Sequence, residues 1–552
     1  MANESPEDSF DYIVIGSGSA GSLLAARLSE NAATSVCVLE AGPRDWHPFL
    51  HIPAGYIKTL QNPRLTWRFR TEPSAGTAGR SIATTQGRVL GGSSSINGLV
   101  QNRGQDLDFD YWAQRGNRGW SYAEVLPYFR RSEKRLGAAD DKYRGRDGGL
   151  IVSDIDWRHP LCDAFIEGAV SLGIPRNEDY NGAEQEGVGY YQRVIHRGLR
   201  VSSATAFLWP AARRANLSIR TGALVSRIEI ADGRASAVRY ASGGQMRVIR
   251  ARREIILCCG AINSPKLLQI SGVGPGAVLN SIGVPVILDL PGVGENLRDH
   301  YAVRMTARVR NVETINEMTR GWRLAREAAR WALGQPSVLS LSPSLVHVFA
   351  RSNAVLDRPD LQLTFTPASY REGIAGLLDS YPGMTCGVWQ QRPESVGYVR
   401  ATSTDPAATP KIQPNYLSDP IDQRVMIDGV RLGRRLLRTS ALGRYYESET
   451  SPDPKLESDD EILDYVRGMA STVFHLMGSC RMGPADDPRA VVGPDLKVRG
   501  IEGLRIADAS IMPTMPSANT NATTYMIAEK AADLILGRAA PPPAELGRTE
   551  PR

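Results

Sequence analysis

The first part of the chain alternates short apolar runs with glycine-rich breaks. Residues 11–15 have the character of a buried strand, which breaks at Gly16-Ser17-Gly18-Ser19-Ala20-Gly21 before helix-like sequence over residues 22–30. A second apolar run, residues 36–39, ends on Glu40. The pattern predicts a strand, a tight turn, a helix and a second strand with an acid at its end.

This strand, turn and helix predict a dinucleotide site. Gly16 permits the turn, Gly18 lets the backbone approach a pyrophosphate, and Gly21 lets the helix pack closely against the strand. The phosphates then meet the positive end of the helix. Glu40 stands 19 positions beyond Gly21, where an acceptor for a ribose hydroxyl is needed. These residues leave open whether the ligand is FAD or a nicotinamide dinucleotide.

Later patterns predict two different sheets. Short apolar runs between residues 217 and 258, divided by Asp-Gly and Gly-Gly turns, predict an antiparallel meander that returns to a buried strand. This buried strand, a turn at residues 260–265 and a helix over residues 266–270 form a second strand, turn and helix unit. Alternating runs at 361–365 and 397–399 predict strands of a separate antiparallel sheet, which we assign to a substrate domain.

The fold class that follows is α/β with two domains, a Rossmann-like nucleotide-binding domain and a substrate domain with an antiparallel sheet. A chain of 552 residues is longer than a typical domain with a single hydrophobic core, which favours two intertwined domains over one. The C-terminal part returns to nucleotide-domain character, with a strand at 504–506 and a helix at 521–536. We predict 8–158, 206–301 and 475–538 for the nucleotide-binding domain, 159–205 and 302–474 for the substrate domain, and 539–552 for a disordered tail.

Charge and cysteine usage exclude several classes of function. Lys+Arg 65 against Asp+Glu 59 gives only +6, with the signs interspersed, so no nucleic-acid partner is predicted. The six cysteines lack zinc-type spacing and the density of a disulfide scaffold, so we expect core thiols and no metal site. Residues 1–9 contain no apolar signal region, and no run reaches 18 apolar residues. We therefore expect a soluble, cytoplasmic protein of bacterial type.

Two other segments stand out. Residues 87–98 place small residues around Arg88 and Asn97, a composition that invites close approach of something large and flat, although a glycine-serine linker is the alternative. Residues 320–331, which include Trp322 and Trp331, predict a basic helix with Trp and Leu at helical spacing. Such a helix either lies on a membrane surface or is a solvated lid or domain-surface helix, and we favour the solvated helix.

Five ordered motifs give the chain a specific resemblance. They are residues 16–21 with 40–42, residues 87–97, residues 260–274, residues 291–297, and the block from His475 to Glu529. Over nearly its whole length the chain resembles the glucose-methanol-choline (GMC) family of flavin-dependent oxidoreductases. The resemblance implies FAD as cofactor, a Rossmann-like, doubly wound nucleotide-binding domain and an antiparallel substrate domain lying over the flavin.

The resemblance also implies the residues that hold the cofactor. Some family members attach the flavin covalently to a histidine at the position of Ile96, and since isoleucine cannot form that bond, FAD is expected to bind non-covalently. The implied FAD contacts are Gly16, Gly18, Ser19, Ala20, Gly21, Glu40, Ala41, Arg88, Gly91, Gly92, Ser93, Asn97, Gly98, Leu99, Val225, Cys259, Gly260, Phe474, Asp508, Ala509, Asn519 and Thr520.

The same resemblance places catalysis at His475 and Asn519. A histidine, with an ordinary pKa of about 6.5, is suited to accept the proton of an alcohol, and an asparagine amide can hydrogen-bond the same oxygen. The helix that begins near Asn521 is expected to direct its positive end at the flavin. The substrate pocket is expected to include Gln101, which departs from the family pattern, together with Phe365 and Phe474. The other histidines have no motif around them, and we expect them to be surface or hydrogen-bonded structural residues: His47, His51, His159, His196, His300 and His347.

The predicted reaction is oxidation of a primary alcohol to an aldehyde by hydride transfer to flavin N5, followed by flavin reoxidation by O₂ or an external acceptor. The resemblance favours an aromatic or heteroaromatic alcohol, because no carboxylate is marked that would face a quaternary ammonium. Alternatives are a choline-type or aliphatic alcohol dehydrogenase and, more remotely, a flavin-containing lyase or photodecarboxylase on the same fold. The sequence predicts no oligomeric state.

Overall fold

The computed structural model describes residues 8–371 and 377–546. One seven-stranded sheet, here the cofactor sheet, carries the predicted nucleotide-binding turn. Its strand Ser9–Ile15 is central and runs parallel to both neighbours, which confirms the doubly wound arrangement. The strand order is Leu217–Thr221, Val36–Glu40, Ser9–Ile15, Gln245–Leu257, Arg234–Ser242 and Leu224–Ala231, and Leu504–Ile506 also pairs with Gln245–Leu257.

One part of the predicted meander is wrong. Leu217–Thr221 pairs in parallel with Val36–Glu40 at the edge of the cofactor sheet. The meander consists of Leu224–Ala231, Arg234–Ser242 and the first half of Gln245–Leu257. A short apolar run specifies a strand but not the neighbour that it pairs with, because both faces of a parallel sheet are covered and both environments look apolar.

The second seven-stranded sheet, here the substrate sheet, is antiparallel throughout. Its order is Tyr446–Ser451, Tyr301–Val309, Gly383–Gln390, Leu361–Thr366, Val346–Ala350 and Gly187–Tyr190, and Ser471–Thr472 pairs with the start of Tyr301–Val309. Gly397–Arg400, predicted for this sheet, instead forms a three-stranded sheet with Glu295–Leu297 and Lys411–Gln413. The two large sheets thus draw on interleaved parts of the chain, as the sequence predicts.

Helices cover both faces of the cofactor sheet and one side of the substrate sheet. The helix after the glycine turn packs against the buried C-terminal helix, and Glu529 accepts hydrogen bonds from Arg27 across this contact. The helices span Ser19–Leu28, Tyr56–Thr59, Asp106–Gln114, Tyr122–Ser132, Pro160–Ser171, Trp209–Ala211, Gly260–Ile270, Gly276–Ser281, Ile315–Met318, Gly321–Ala332, Pro420–Leu437, Asp459–Met469 and Thr520–Leu536. Short strand pairs are Thr66–Trp67 with Gln86–Gly87, Glu133–Arg135 with Leu150–Val152, Ile195–His196 with Leu199–Arg200, and Val273–Gly274 with Leu288–Asp289.

Two surface segments bear on the predictions. The basic helix Gly321–Ala332 forms, and it leaves Trp322 68% exposed. No helix within residues 8–371 and 377–546 is long and apolar enough to cross a membrane. In the segment predicted as a disordered tail, the Ala544 N–H donates to the Ala123 carbonyl at 2.8 Å, whereas residues 547–552 lie outside the described residues.

Candidate active site

The two predicted glycine loops meet at the carboxyl end of the first strand. A Cβ on Gly16 would lie 2.5 Å from the Cys258 carbonyl oxygen, and one on Gly21 would lie 1.9 Å from the Gly16 oxygen. A Cβ on Gly92 would lie 2.6 Å from the Gly18 Cα. Only glycine fits these contacts, so the close backbone approach that a pyrophosphate needs is built into both loops.

Glu40 closes the first loop. Its carboxylate accepts hydrogen bonds from the Ser17 N–H at 3.0 Å, the Ser17 hydroxyl at 2.7 Å and the Gly42 N–H at 2.8 Å. Burial raises the pKa of this carboxyl group, and these donors oppose the rise. The Glu40 carbonyl also accepts from the Ala223 N–H, which brings the segment of Val225 beside it. Cys259 lies at the same end of the sheet, with its Sγ 3.2 Å from the Ile15 carbonyl oxygen.

The second loop is fixed by its own small side chains. The Gly91 N–H donates to the Ser17 carbonyl at 3.0 Å, which joins the two loops directly. Ser93 Oγ accepts from the Gly87 N–H at 3.0 Å, and Asn97 Oδ1 accepts from the Leu99 N–H at 3.2 Å. Residues 87–99 are therefore a structured loop against the nucleotide turn, not a linker.

Arg200 contacts this loop from the short strand Leu199–Arg200, and the sequence predictions did not include it. Its Nη1 donates to Asn97 Oδ1 at 2.7 Å and to the Ser94 carbonyl at 3.2 Å, and the residue is only 4% exposed. Its Nε and Nη2 are buried and have no hydrogen-bond partner among the described residues. Burial lowers the pKa of this guanidinium to about 9. Two orphaned donors beside the glycine loops fit an anionic, acceptor-rich dinucleotide.

The C-terminal block completes the cradle. Asp508 accepts from the Gly260 N–H at 2.8 Å and the Ser264 hydroxyl at 2.5 Å, and so ties the turn at Ala509 to the start of the helix Gly260–Ile270. The Ser19 hydroxyl donates to Asn521 Oδ1 at 2.6 Å. This bond places the N-termini of the helices at Ser19 and Thr520 side by side, and both positive ends face the same region.

His475 and Asn519 come together as predicted for a catalytic pair. Asn519 Nδ2 lies 3.0 Å from His475 Nε2. Asn519 is the residue before the C-terminal helix, and its side chain makes no capping bond to that helix within the described chain, so its amide is free to face the histidine. His475 follows the short strand Ser471–Thr472, which fixes its backbone against the substrate sheet.

His300, expected to be a surface or hydrogen-bonded structural residue, is buried and contacts His475 directly. The two Nδ1 atoms lie 2.9 Å apart, and His300 Nε2 lies 2.7 Å from the Gln391 carbonyl oxygen. Since a carbonyl only accepts, His300 Nε2 carries the hydrogen, and the Nδ1 of neutral His300 must accept. His475 Nδ1 is then the donor, and the lone pair of neutral His475 sits on Nε2, where Asn519 donates to it.

The pKa values agree with neutral rings at pH 7. Burial lowers the pKa of His300 to about 4, and burial together with the nearby His300 holds the pKa of His475 well below its usual 6.5. Neither ring contacts a carboxylate side chain in residues 8–371 and 377–546. His475 Nε2 is therefore available as a proton acceptor.

Asp299 holds the backbone of His475. Its carboxylate accepts from the His475 N–H at 2.8 Å, the Thr472 hydroxyl at 2.5 Å and the Tyr416 hydroxyl at 2.6 Å. The residue is buried, and burial raises its pKa to about 6. In the sequence the only signal for Asp299 and His300 is their place directly after the motif of residues 291–297.

Aromatic side chains surround the pair. The ring of Trp389 lies 6.3 Å from that of His475 and 6.2 Å from that of His300, centroid to centroid. Phe474 has a φ of 64°, in the left-handed region, and remains 38% exposed, while its N–H donates to Thr472 Oγ1 at 2.7 Å. A bulky residue in this conformation marks a backbone held by its surroundings.

Comparison with known proteins decides the family. Models of the GMC oxidoreductase family match residues 10–302 and 393–528. The chain belongs to the GMC oxidoreductase family. It is an FAD-dependent oxidoreductase acting on CH–OH donors.

Individual relatives cover nearly the whole GMC oxidoreductase. An oxygen-dependent choline dehydrogenase of Photobacterium profundum is 39% identical over 96% of this chain and 93% of the relative. The mitochondrial choline dehydrogenase of Homo sapiens is 40% identical over 98% of this chain and 92% of the relative. Among solved structures, pyridoxine 4-oxidase from Mesorbium loti superimposes with a TM-score of 0.86 at 31% identity, covering 96% of this chain and all of that one.

The substrate pocket of this GMC oxidoreductase differs from the sequence expectation at Phe365. This residue is fully buried and stacks on Phe165 with ring centroids 4.2 Å apart, inside the core of the substrate domain. Along Leu361–Thr366 the alternation directs Phe365 to the helix-covered face and Gln362 to the opposite one. Gln101 is buried, with no partner for its Oε1 in the described part of the chain, and its pocket role stays a prediction.

Proposed function

We propose that this GMC oxidoreductase converts a primary aromatic or heteroaromatic alcohol to its aldehyde, with His475 as the base. The observation that carries the proposal is the 3.0 Å contact between His475 Nε2 and Asn519 Nδ2. A carbinol oxygen placed at this pair gives its proton to Nε2 and accepts a hydrogen bond from the amide. FAD, when bound, would supply the acceptor for the hydride that leaves the carbinol carbon.

The protein side of the reaction is a proton transfer between fixed groups. As His475 Nε2 takes the hydroxyl proton, the ring becomes an imidazolium that still donates from Nδ1 to His300. Asn519 stabilises the negative charge that develops on the substrate oxygen. Asp299, through the His475 backbone N–H, keeps the ring in place during the step.

We also propose that FAD is held without a covalent bond. The Ile96 side chain has no nucleophilic atom and packs in an apolar cluster with Leu50, Leu65 and Val89. The glycine loops, Glu40 and Arg200 would hold the dinucleotide part. Precipitating the protein with acid is expected to release all FAD into the supernatant; flavin that stays in the pellet contradicts the proposal.

Two observations support the aromatic substrate class. Trp389 and Phe474 offer flat apolar surfaces beside the base. The carboxylate nearest to His475 along the hydrogen-bond network, Asp299, directs its bonds toward Thr472, Tyr416 and the backbone. The rings alone would also suit a quaternary ammonium through cation–π contacts, so the discriminating observation is that neither histidine ring contacts a carboxylate side chain among the described residues.

A choline-type alcohol is the second candidate, because relatives named choline dehydrogenase are 39% and 40% identical over nearly the whole chain. Anaerobic stopped-flow mixing of the enzyme with benzyl, furfuryl, pyridylmethyl and aliphatic alcohols and with choline distinguishes the two candidate functions. Fast bleaching of the flavin band by the aromatic set supports the proposal, and fast bleaching by choline alone replaces it. No bleaching with any alcohol contradicts both and points to lyase or photodecarboxylase chemistry.

The electron acceptor is proposed to be O₂ or an external acceptor. The same apparatus distinguishes them, because the reduced enzyme is mixed with air-saturated buffer or with a quinone or dye. Reoxidation by O₂ faster than turnover defines an oxidase, and reoxidation only by the added acceptor defines a dehydrogenase.

A further inference from the structure

We infer that Arg304, Tyr56 and Tyr370 form an anion-binding subsite in the substrate site, so that the alcohol carries a carboxylate at the end remote from its hydroxymethyl group. The inference rests on the proposed oxidation of an aromatic alcohol at His475. It adds the chemical class of the substrate's second functional group.

The alternation of one strand places Arg304 on the same face as His300. Val303 and Met305 of Tyr301–Val309 are buried in the core of the substrate domain. His300, Ala302 and Arg304 therefore project from the opposite face. At about 3.4 Å per residue, the Arg304 Cα lies about 13 Å from that of His300. Ala302, a small buried residue, lies between them on this face.

The neighbouring strand continues the same surface. Arg304 pairs with Gly387, and Trp389 follows two residues later on the same face. A Cβ on Gly387 would lie 3.8 Å from the Arg304 Cγ and 3.0 Å from Thr364 Oγ1, so the arginine stem lies across the glycine. Because the Trp389 ring also contacts His475, this face of the sheet extends from Arg304 toward the base.

Two tyrosines stand beside Arg304. Tyr370 interacts through its hydroxyl with Tyr56 and Thr366, and its hydroxyl lies 3.4 Å from the Pro343 carbonyl oxygen. Pro343 in turn lies against the cofactor loop, 3.1 Å from the position of a Cβ on Gly98. Burial raises the pKa of both phenols, although the charge of Arg304 opposes the rise, so both remain protonated donors at pH 7.

The charges on this face fit an anion and oppose a cation. Arg304 is exposed and makes no ion pair with any residue of 8–371 or 377–546, whereas the buried Arg144 and Arg103 both pair with Glu133. The guanidinium has donors only, whereas each phenol hydroxyl can donate one hydrogen bond and also accept. The planar fork of the guanidinium matches a carboxylate in two parallel hydrogen bonds.

The test compares 4-(hydroxymethyl)benzoate with its neutral isostere 4-methylbenzyl alcohol. With the wild-type holoenzyme we expect kcat/KM at least tenfold higher for the carboxylate, mainly through KM. Arg304→Gln should reduce kcat/KM for the carboxylate at least tenfold more than for the isostere, and Arg304→Lys should retain part of the preference. Binding of benzoate, followed by the change in the flavin absorption spectrum, should weaken in parallel in Arg304→Gln.

Arg308→Gln is the matched control. It removes the same charge from an exposed arginine on the same strand face, four residues farther from His300, where Arg308 lies over Tyr381. The carboxylate preference should survive this change; an equal loss in both variants overturns a local subsite. Wild-type oxidation of 4-methylbenzyl alcohol without any preference for the carboxylate overturns the inference alone. Flavin reduction by choline but by neither aromatic alcohol overturns the proposed function, and the inference with it.

Discussion

The Nδ1 atoms of His300 and His475 lie 2.9 Å apart, and the Gln391 carbonyl on the far side of His300 fixes the direction of this hydrogen bond. His300 must accept, so His475 must donate from Nδ1. The free lone pair of His475 is then on Nε2, next to Asn519. The buried His300 thus selects which nitrogen of His475 is the base.

Removing the acceptor on His300 should change the tautomer of His475. His300→Leu is expected to slow flavin reduction by about 10- to 100-fold, because the loss of one oriented hydrogen bond misplaces a general base. His300→Asn offers an amide oxygen near the former Nδ1 and should recover part of the rate. Stopped-flow reduction of both variants checks this; equal rates in Leu and Asn variants contradict the role of the hydrogen bond.

The pH dependence follows from lowered histidine pKa values. Because His475 and His300 stay neutral well below pH 6.5 in the folded protein, flavin reduction should be constant above about pH 6.5. It should fall as the pH drops toward 4, where His300 gains a proton and no longer accepts. An acid limb with its midpoint at pH 7 or above contradicts this.

The same shifts affect stability, with a sign that can be checked. The unfolded chain binds protons on these histidines near pH 6.5, whereas the folded chain resists them until about pH 4 for His300. Their contribution to stability is therefore fully present above pH 6.5 and is lost as the pH falls. Asp299, with its pKa raised to about 6, has the opposite sign, so Asp299→Asn should make the melting temperature fall more steeply between pH 6 and 4.

Asn519 should act on the rate rather than on cofactor binding. Asn519→Ala removes the donor to the substrate oxygen and should lower the limiting rate of flavin reduction by about 10² to 10³. The FAD content, measured from the absorption spectrum, serves as the control. A loss of less than threefold with full FAD content removes Asn519 from the catalytic pair.

Arg200 should act on cofactor binding. Arg200→Met keeps the stem but removes the two buried donors that have no hydrogen-bond partner in residues 8–371 and 377–546, so FAD should dissociate at least tenfold more readily. Equilibrium titration of the apoprotein with FAD, followed by flavin fluorescence, measures this. Since Arg200 also donates to Asn97, Asn97→Ala is the control that tests whether the effect passes through the loop of residues 87–99. Unchanged FAD affinity in Arg200→Met contradicts the proposed contact between Arg200 and FAD.

Local patterns predicted most of the fold because they need only neighbours in the chain. The glycine turn, the C-terminal helix and the interleaving of two sheets all carry such signals. The edge strand Leu217–Thr221 and the separate sheet of Gly397–Arg400 do not, because strand partners are chosen by tertiary packing. Phe365 shows the same limit, since an aromatic residue in a strand points to either face until the register is known.

The site divides in a similar way. His475 and Asn519 lie in motifs, so the resemblance singled them out before their contact was visible. His300, Asp299 and Arg200 act through partners 91 to 176 positions away or within the buried loops, and nothing local distinguishes them from structural residues. Their importance is visible only through their contacts and their burial.

The account depends most directly on His475 as the base. Replacing it in His475→Ala should leave FAD bound, with a normal absorption spectrum, and slow alcohol-driven flavin reduction by about 10² to 10⁴ under anaerobic conditions. Dithionite should still reduce the flavin, which shows that the cofactor remains accessible. Flavin reduction by the alcohol at the wild-type rate in this variant would contradict the central claim.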